Sequence, residues 1–319
     1  MELFSANRLL PPSLFRLCLL LVLTFSLLCL GGVAWAEAVA TNQPLHPWLG
    51  PQSLYSQYQS IQPQLKHNVY GEPFYLKANV HDDLTTGDVY ANLPFDYPLV
   101  ANTLMEPRQL CKAIMLHINV KGCVVKDRNH TQPIIDMYVG KKEYQNPEDA
   151  FKVSYKFSII DHSDKYTLVS MIADNGPLHT KDIALYIESL LIDPQTTFIH
   201  FTYSARYGTL ARLALNAYLA TLGRNKVGFT ATGTDKNGEP IYIKGIQGVV
   251  ERNTMRYFFA LEAYFATYNK PYDASLNRWF DYVEKYPKQL YEVSRREYLE
   301  SKQHELMDTE KLQAKTDAS

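Results

Sequence analysis

The chain has 319 residues, 46% of them hydrophobic, with 32 basic and 33 acidic side chains and a formal net charge of −1. This length suits one large domain or one domain with an extension. Because the charge is near zero and Lys and Arg form no stripe along the sequence, we expect no nucleic acid among the partners.

Residues 1–36 are predicted to be a secretory signal peptide. Arg8 and Arg16 precede an apolar run over residues 17–30, and an Ala-Trp-Ala sequence that ends at Ala36 supplies a cleavage pattern. Cleavage would leave the remainder in the periplasm or outside the cell. The alternative is an uncleaved anchor, because residues 17–34 approach the minimum length that spans a bilayer.

Two cysteines remain outside that segment, Cys111 and Cys123. In an oxidising compartment, an exported pair this close in sequence predicts a disulfide, which would stabilise the fold by about 3 kcal/mol in the chain-entropy model. The alternative is two buried thiols. Since the chain has no C-x-x-C motif, we expect no metal site and no cofactor.

The segment 37–71 is rich in Pro, Gln, Tyr and Ser, which predicts an N-terminal arm or linker with a short helix around 53–60. Alternating apolar residues over 74–80 and 89–93 predict strands on either side of a turn. Helical spacing over 99–115, interrupted by Pro107, predicts two short helices.

The clearest alternation in the chain lies at 151–159, where one face collects the apolar residues and the other collects Lys152 and Lys156. The apolar face consists of Phe151, Val153, Tyr155, Phe157 and Ile159. Further strands are predicted at 117–125, 134–142, 166–174, 183–192 and 197–207. Short polar turns between them indicate antiparallel neighbours.

A helix is predicted over 209–222, with Thr209 as its N-cap and Gly223 at its end. Its apolar stripe consists of Leu210, Leu213, Ala214, Ala217, Tyr218 and Thr221. Long antiparallel strands that run into one long helix predict an α+β fold, in which a sheet wraps around this helix and encloses a cavity.

This order of elements resembles the helix-grip fold of the START and Bet v 1-like superfamily (SRPBCC domains) over residues 72–223. The run from Gly87 to Asp96 is similar to the family's first strand leading into its first helix. Leu104-Met105-Glu106-Pro107 is similar to the "L-x-D-P" break between its two helices. The resemblance implies a hydrophobic tunnel between sheet and helix that binds lipids, sterols, quinones or aromatic metabolites.

Ligand-binding residues are expected on the inward faces of the strands and on the stripe of helix 209–222. The strand candidates are Val153, Tyr155, Phe157, Leu185, Ile187, Phe201 and Tyr203, and the helix candidates are Leu213, Ala217 and Tyr218. Simple filling of the core is the alternative for each aromatic residue. Residues 224–307 are predicted to form a helical extension, and residues 308–319 a disordered polar tail.

The chain has no nucleophile elbow, phosphate loop or zinc signature, so no catalytic residue is predicted. Arg252 and Arg256 are i,i+4 neighbours that could present a cationic fork to an anionic group. The alternative pairs them with surface acids. His117 and His200 lie in predicted strands, where a lone histidine is more often a satisfied core or surface residue than a base.

The function favoured by these patterns is non-catalytic binding or transport of a hydrophobic small molecule, with transient membrane contact as a further possibility. A cyclase or aromatase-like enzyme using the same cavity is the second class, and a buried acid or base with a shifted pKa would favour it. A protein-interaction module is the third, favoured by a collapsed cavity beside an exposed apolar patch. The oligomeric state is left open.

Overall fold

The architecture comes from a computed structural model that describes residues 48–127, 132–221 and 223–318, with Leu210 placed by its backbone only. The predicted signal peptide lies outside these residues. Among the described helices, none is long and apolar enough to cross a membrane.

The described chain has nine α-helices and ten β-strands. The helices are α1 (Pro51–Ser60), α2 (Gln62–Lys66), α3 (Tyr97–Met105), α4 (Pro107–Ile114), α5 (Thr209–Ala220), α6 (Gly245–Ala266), α7 (Tyr272–Lys285), α8 (Pro287–Leu290) and α9 (Arg295–Asp317). The strands are β1 (Phe74–His81), β2 (Leu84–Leu93), β3 (Val120–Lys126), β4 (Ile134–Val139), β5 (Phe151–His162), β6 (Tyr166–Asn175), β7 (Thr180–Asp193), β8 (Thr196–Tyr207), β9 (Ala231–Thr234) and β10 (Pro240–Tyr242).

Eight strands form one antiparallel sheet in the order β1-β2-β8-β7-β6-β5-β4-β3. The chain therefore makes a hairpin, then two short helices, then six strands that return to pair β8 with β2. The break between the two helices falls at Glu106, whose carboxylate accepts a hydrogen bond from the backbone N–H of Arg108. This confirms the predicted α+β class and order of elements.

Strand β5 lies in the middle of the sheet, between β4 and β6. Tyr155 and Phe157 are buried on its inner face, whereas Lys152 and Lys156 are exposed on the other. Side chains alternate between the two faces of a strand, so only a strand places the aromatic residues on one face and the lysines on the other. The sequence therefore fixes which residues of β5 point inward. Phe151, at the start of the strand, is exposed despite its apolar side chain.

The helix that covers the inner face of the sheet is α6, so the prediction that helix 209–222 occupies this place is wrong. Met255, Phe258 and Phe265 of α6 belong to the same buried cluster as the inner side chains of β2, β5 and β8. This helix has 22 residues and buries most of its circumference, whereas α5 has 12 and leaves Leu213 66% exposed. Burial of apolar area favours the longer helix, which carries more apolar side chains in total.

The predicted domain boundary after residue 223, between the helix-grip domain and a helical extension, is also wrong. Helix α6 lies beyond that boundary but shares one core with the sheet. The prediction of a disordered tail at 308–319 is also wrong, because α9 continues to Asp317. Its anchor is a buried ion-pair cluster: Glu305 lies 2.7 Å from Lys121 Nζ on β3 and 2.9 Å from Lys302 Nζ. Tertiary pairing thus orders a helix of polar composition.

The outer face of the sheet is covered by the N-terminal helices. Leu54 of α1 and Leu65 of α2 are buried in a second apolar cluster with outward side chains of the strands, among them Tyr90 and Phe198. The predicted helix around 53–60 is confirmed, but the description of residues 48–66 as a linker is wrong. These residues shield an apolar face of the sheet from solvent, so they are part of the folded protein.

Gly87 of β2 is the point of closest approach between the sheet and α6. A Cβ atom at this position would lie 2.1 Å from Thr254 Oγ1 and 3.1 Å from Thr254 Cβ. Only glycine therefore allows the strand and the helix to pack at this distance.

We expect Gly87→Ala to lower the free energy of unfolding by about 1–3 kcal/mol, because the new methyl group overpacks the contact with Thr254. Denaturant unfolding of the variant would measure the loss. Gly233→Ala on β9 is the matched control, since nothing lies within 4 Å of a Cβ there. Combining Gly87→Ala with Thr254→Ala removes the closest clashing atom and should recover part of the loss. Equal stabilities for Gly87→Ala and wild type would contradict the close approach.

Cys111 in the middle of α4 and Cys123 on β3 form a disulfide pair with a Cα–Cα distance of 5.4 Å. We expect thiol titration of the denatured, non-reduced protein, purified from an exporting host, to find both sulfurs protected. Two reactive thiols in a sample lacking residues 1–36 would show that the pair stays reduced.

Candidate functional site

A cavity of about 390 Å³ lies between the inner face of the sheet, helix α5 and helix α6. Its walls come from β4, β5, β7 and β8, from the turn after β6, and from both helices. The side chains are mainly apolar or tyrosine, and the wall opposite the sheet belongs to α5. The volume falls within the range of about 300–1,000 Å³ that is usual for small-molecule sites.

The structure places four of the ten predicted ligand-binding residues on the cavity wall: Val153, Tyr155, Tyr203 and Tyr218. Four others are buried in the core, away from the wall: Phe157, Leu185, Ile187 and Phe201. The last two, Leu213 and Ala217, point to solvent on the far side of α5, so their assignment to a lid is wrong.

Helix α5 instead turns Ala211, Ala214, Leu215 and Tyr218 toward the cavity. These positions also recur at helical spacing, so the helix has two overlapping apolar stripes. The stripe that faces the cavity combines two alanines with Leu215 and Tyr218, and Ala211 is buried there. The two alanines leave room beneath α5 that larger side chains would fill.

Tyrosine hydroxyls supply several of the polar groups of the cavity. Tyr155, Tyr203 and Tyr207 come from the sheet and Tyr257 comes from α6, where its ring stacks 6.0 Å from that of Tyr203. Burial raises the pKa of all four hydroxyls, so each remains protonated at neutral pH. Each ring therefore offers an apolar surface and a hydroxyl that can donate or accept a hydrogen bond.

His117 is the most constrained polar group in the cavity wall. Its side chain is 1% exposed and stacks on Tyr257 at 4.3 Å, and its Nδ1 atom accepts a hydrogen bond of 3.1 Å from the backbone N–H of Asn119. In the neutral ring, the proton therefore sits on Nε2. Nε2 is buried from solvent, and the side chain of Asn253 hydrogen-bonds to the ring.

Burial, together with the positive charges of Arg256 and Lys302, lowers the pKa of His117 well below its usual range. The imidazole is thus neutral at pH 7. Asn253 of α6 also lines the cavity and lies close to this ring. The sequence singled out His117 but missed Asn253 and Tyr257, whose i,i+4 spacing places them on one face of α6.

The second pair of polar candidates, Arg252 and Arg256, is buried rather than solvated. Arg256 Nη2 lies 2.8 Å from Glu292 Oε1, and Lys226 Nζ lies 2.9 Å from Glu292 Oε2. Burial would raise the pKa of Glu292, but Arg256, Lys142 and Lys226 outweigh it and bring the pKa to about 2. Glu292 therefore stays ionised over the whole range in which the protein is folded.

Arg252 has a different environment. It is 3% exposed, and its Nη1 atom donates to the carbonyl oxygen of Val227 at 3.3 Å. Burial and the neighbouring charge of Arg256 lower its pKa to about 10. A guanidinium held this way is costly without an anion nearby, and it adds to the positive field around this end of α6.

His200 is on the outer face of the sheet, as its position in the alternation predicts, but it is buried. Its Nδ1 atom lies 2.8 Å from Glu188 Oε2, and its Nε2 atom lies 3.0 Å from Asp88 Oδ1. Glu188 also accepts the backbone N–H of Gly50 at 2.9 Å, which ties the N-terminal segment to the sheet. Burial lowers the pKa of His200, but the two carboxylates outweigh it and raise the pKa above its usual value.

We expect the two histidines to titrate in opposite directions. In a ¹⁵N–¹H titration between pH 5 and 8, His117 should keep the shifts of a neutral ring protonated on Nε2, whereas His200 should remain doubly protonated beyond about pH 6.5. Folding stability that comes from His200 is then fully present below the unfolded pKa and lost as pH rises through the folded pKa. A His117 resonance that becomes cationic near pH 6.5 would contradict the buried, positively charged setting.

Among the described residues, no group of three or more His, Cys, Asp or Glu side chains is arranged to hold a metal ion.

No protein-family model matches the chain, and no curated protein matches it. Solved structures do match. Human StAR-related lipid transfer protein 5 is 7% identical with a TM-score of 0.35, covering 69% of this chain and 97% of that one. A norcoclaurine synthase mutant from Thalictrum flavum is 12% identical with a TM-score of 0.33, covering 46% and 91%. Zhui aromatase/cyclase from Streptomyces is 7% identical with a TM-score of 0.31, covering 63% and 96%.

At these identities the similarity concerns the fold alone, and the strand order of the chain itself defines the architecture. An eight-stranded antiparallel sheet with a long buried helix against it makes this chain an α+β protein consistent with the helix-grip fold.

Proposed function

We propose that the protein binds and carries a hydrophobic small molecule of the lipid, sterol or quinone class in the cavity between α5, α6 and the sheet. The observation that carries the proposal is the cavity of about 390 Å³ with apolar and tyrosine walls. Apolar walls of this kind are in contact with solvent when the site is empty, which is unfavourable. A bound apolar molecule would cover them and displace that water.

Helix α5 is the part of the wall best suited to admit a ligand. Its outer side carries the exposed residues Leu213 and Ala217, and Ala211 is its buried contact. The exposed side chain of Arg212 also donates to the carbonyl oxygen of Asp82. A helix held by few buried side chains opens at lower free energy than the core beneath it. Ligand entry would then leave the sheet and α6 in place.

We also propose that the carrier acts outside the cytoplasm, after removal of residues 1–36. The Cys111–Cys123 pair supports this, since disulfides persist in oxidising compartments. Mass determination of the N-terminus of protein recovered from the expressing cell would test it. A chain that retains its first residues in the soluble cytoplasmic fraction would contradict it.

Catalysis in the same cavity is the second candidate function, favoured by His117. His117 is buried and neutral at pH 7, and a neutral imidazole can hydrogen-bond to a substrate without giving up a proton. Recovery of an unchanged ligand after prolonged incubation favours the carrier. Conversion that disappears in His117→Phe would favour the enzyme.

A tryptophan placed on the inner stripe of α5 should abolish binding. We expect Ala214→Trp to fill the cavity and weaken the binding of a fluorescent apolar probe at least tenfold, since Ala214 lines the cavity. Native mass spectrometry of the purified protein would show the same loss for any co-purified ligand.

Ala217→Trp is the matched control, because Ala217 lies on the exposed side of the same helix. It should leave probe affinity within about twofold of wild type. If wild type binds no apolar probe, and Ala214→Trp mainly lowers the melting temperature, the site is solid core and the carrier function is rejected.

A further inference from the structure

We propose that the part of the ligand enclosed in this cavity is uncharged and carries a hydroxyl or carbonyl oxygen that hydrogen-bonds to the hydroxyl of Tyr155. This inference rests on the proposed binding function and narrows its ligand by charge. It selects alcohols, ketones, esters and quinones, and it excludes carboxylates, phosphates and ammonium groups from the enclosed part.

The first support is the kind of polar group that the cavity wall carries. Among the described residues that line the cavity there is no Asp, Glu, Lys or Arg. The polar groups are hydroxyls, amides and one imidazole, from Asn119, Tyr155, Thr180, Tyr203, Tyr207, Tyr218, Asn253, Tyr257 and His117. An ion enclosed by this wall would lose its hydration without gaining a partner of opposite charge, which costs far more than enclosing a neutral oxygen.

The buried titratable groups of the wall also stay in their neutral forms. Burial raises the pKa of Tyr155, Tyr203, Tyr207 and Tyr257. Burial and nearby cations lower the pKa of His117 well below its usual range. A change of pH between about 5.5 and 8 therefore gives these groups no charge with which to meet an ion.

The charges behind the wall are already paired within the protein. Arg256 Nη2 lies 2.8 Å from Glu292 Oε1, and Lys302 Nζ lies 2.9 Å from Glu305 Oε2. None of these four side chains is among the described residues that line the cavity. The two cations act on the pKa of His117, but they offer an enclosed anion no direct ion pair.

The second support is the hydroxyl of Tyr155. This residue lies on the central strand β5, lines the cavity and is 3% exposed. Its hydroxyl forms no hydrogen bond with a described residue, and it is not sealed off by protein atoms as His117 Nε2 is. A buried hydroxyl in this state gains a hydrogen bond when an oxygen of the ligand comes beside it.

The other tyrosine hydroxyls that the sheet and α6 contribute to the wall already have partners. Tyr257 donates to Met137 Sδ at 3.7 Å, and the hydroxyls of Tyr203 and Tyr207 hydrogen-bond to each other. The Tyr155 hydroxyl can donate to a carbonyl oxygen or accept from an alcohol. It is therefore the group that we expect to read the polar end of the ligand.

The remainder of the cavity suits the apolar part of such a ligand. Val153, Ile183 and Leu215 line it, and the rings of Tyr203 and Tyr257 stack 6.0 Å apart. A ligand oxygen at Tyr155 would thus leave the rest of the molecule against apolar surface.

The test compares four fluorescent ligands with the same conjugated polyene chain: the hydrocarbon, the alcohol, the carboxylic acid and the primary amine. At pH 7.5 we expect wild type to bind the alcohol at least tenfold more tightly than the acid or the amine, because both are ionised and would enter without a partner of opposite charge. A charged end left in solvent at the mouth of the cavity would instead give equal affinities and overturn the inference.

The pH dependence of the acid gives a second readout. If only its protonated form enters, its apparent dissociation constant should rise about tenfold per pH unit above the pKa of the acid, since the binding-competent fraction falls by that factor. The alcohol should keep one affinity from about pH 5.5 to 8, because the buried groups of the wall do not titrate there. An acid whose affinity is independent of pH would contradict the requirement for a neutral ligand.

Tyr155→Phe locates the hydrogen bond, because it removes the hydroxyl and keeps the ring. It should weaken binding of the alcohol about fivefold or more and change the affinity for the hydrocarbon by less than about twofold. Tyr55→Phe is the matched control and should change neither, since Tyr55 is 47% exposed on α1, which covers the opposite face of the sheet. Melting temperatures check the fold of both variants, and the comparison of ligands on wild type decides the charge requirement by itself.

The outcomes separate the two proposals. If none of the four ligands binds wild type, the proposed function fails and this inference fails with it. If all four bind with similar affinity, the carrier function stands and the requirement for an uncharged ligand is rejected. If a folded Tyr155→Phe protein keeps the wild-type preference for the alcohol over the hydrocarbon, the role of Tyr155 is rejected.

Discussion

The packing of α6 on the inner face of the sheet is the contact on which the rest of the structure depends. Eight strands present a continuous apolar face, and the 22 residues of α6 are apolar over most of their circumference. Contact at Gly87 brings helix and strand close enough to exclude water along the whole seam. The helices α4, α7 and α9 then pack around α6 and the edge of the sheet, and each depends on its position.

The position of the cavity depends on which side chains each end of α6 presents to the sheet. In the C-terminal half of α6, Phe258 and Phe259 pack with Phe74 and Tyr282, and Phe265 packs with Phe95. Nearer its N-terminal end, α6 presents Asn253 and Tyr257, and the short helix α5 covers what remains. The space beside the aromatic rings is about 160 Å³, whereas the space under α5 is about 390 Å³.

The sequence predicted the sheet better than the helices. The alternation over 151–159 allows only one assignment of side chains to the two faces of the sheet. A strand that places Tyr155 and Phe157 inside must place Lys152 and Lys156 outside. Helix 209–222 has two apolar stripes, and the pattern alone could not decide between Leu213 and Leu215 as the inward residue. The signal for α6 was present in its nearly uniform apolar surface, which requires burial. The order of α9 depends on Lys121, 184 residues from Glu305 along the chain, so no local pattern could reveal it.

The two buried histidines show how the faces of one sheet create opposite electrostatic environments. On the outer face, Asp88 and Glu188 surround His200, and negative charge stabilises its proton even though burial opposes it. On the inner side, Arg256 and Lys302 act in the same direction as burial and keep His117 neutral. A protonated ring on the outer face is therefore balanced by carboxylates of the chain itself. His117, in the turn before β3, is instead kept in its neutral form by burial and by neighbouring cations, so the His200 cation persists to a higher pH than a His117 cation would.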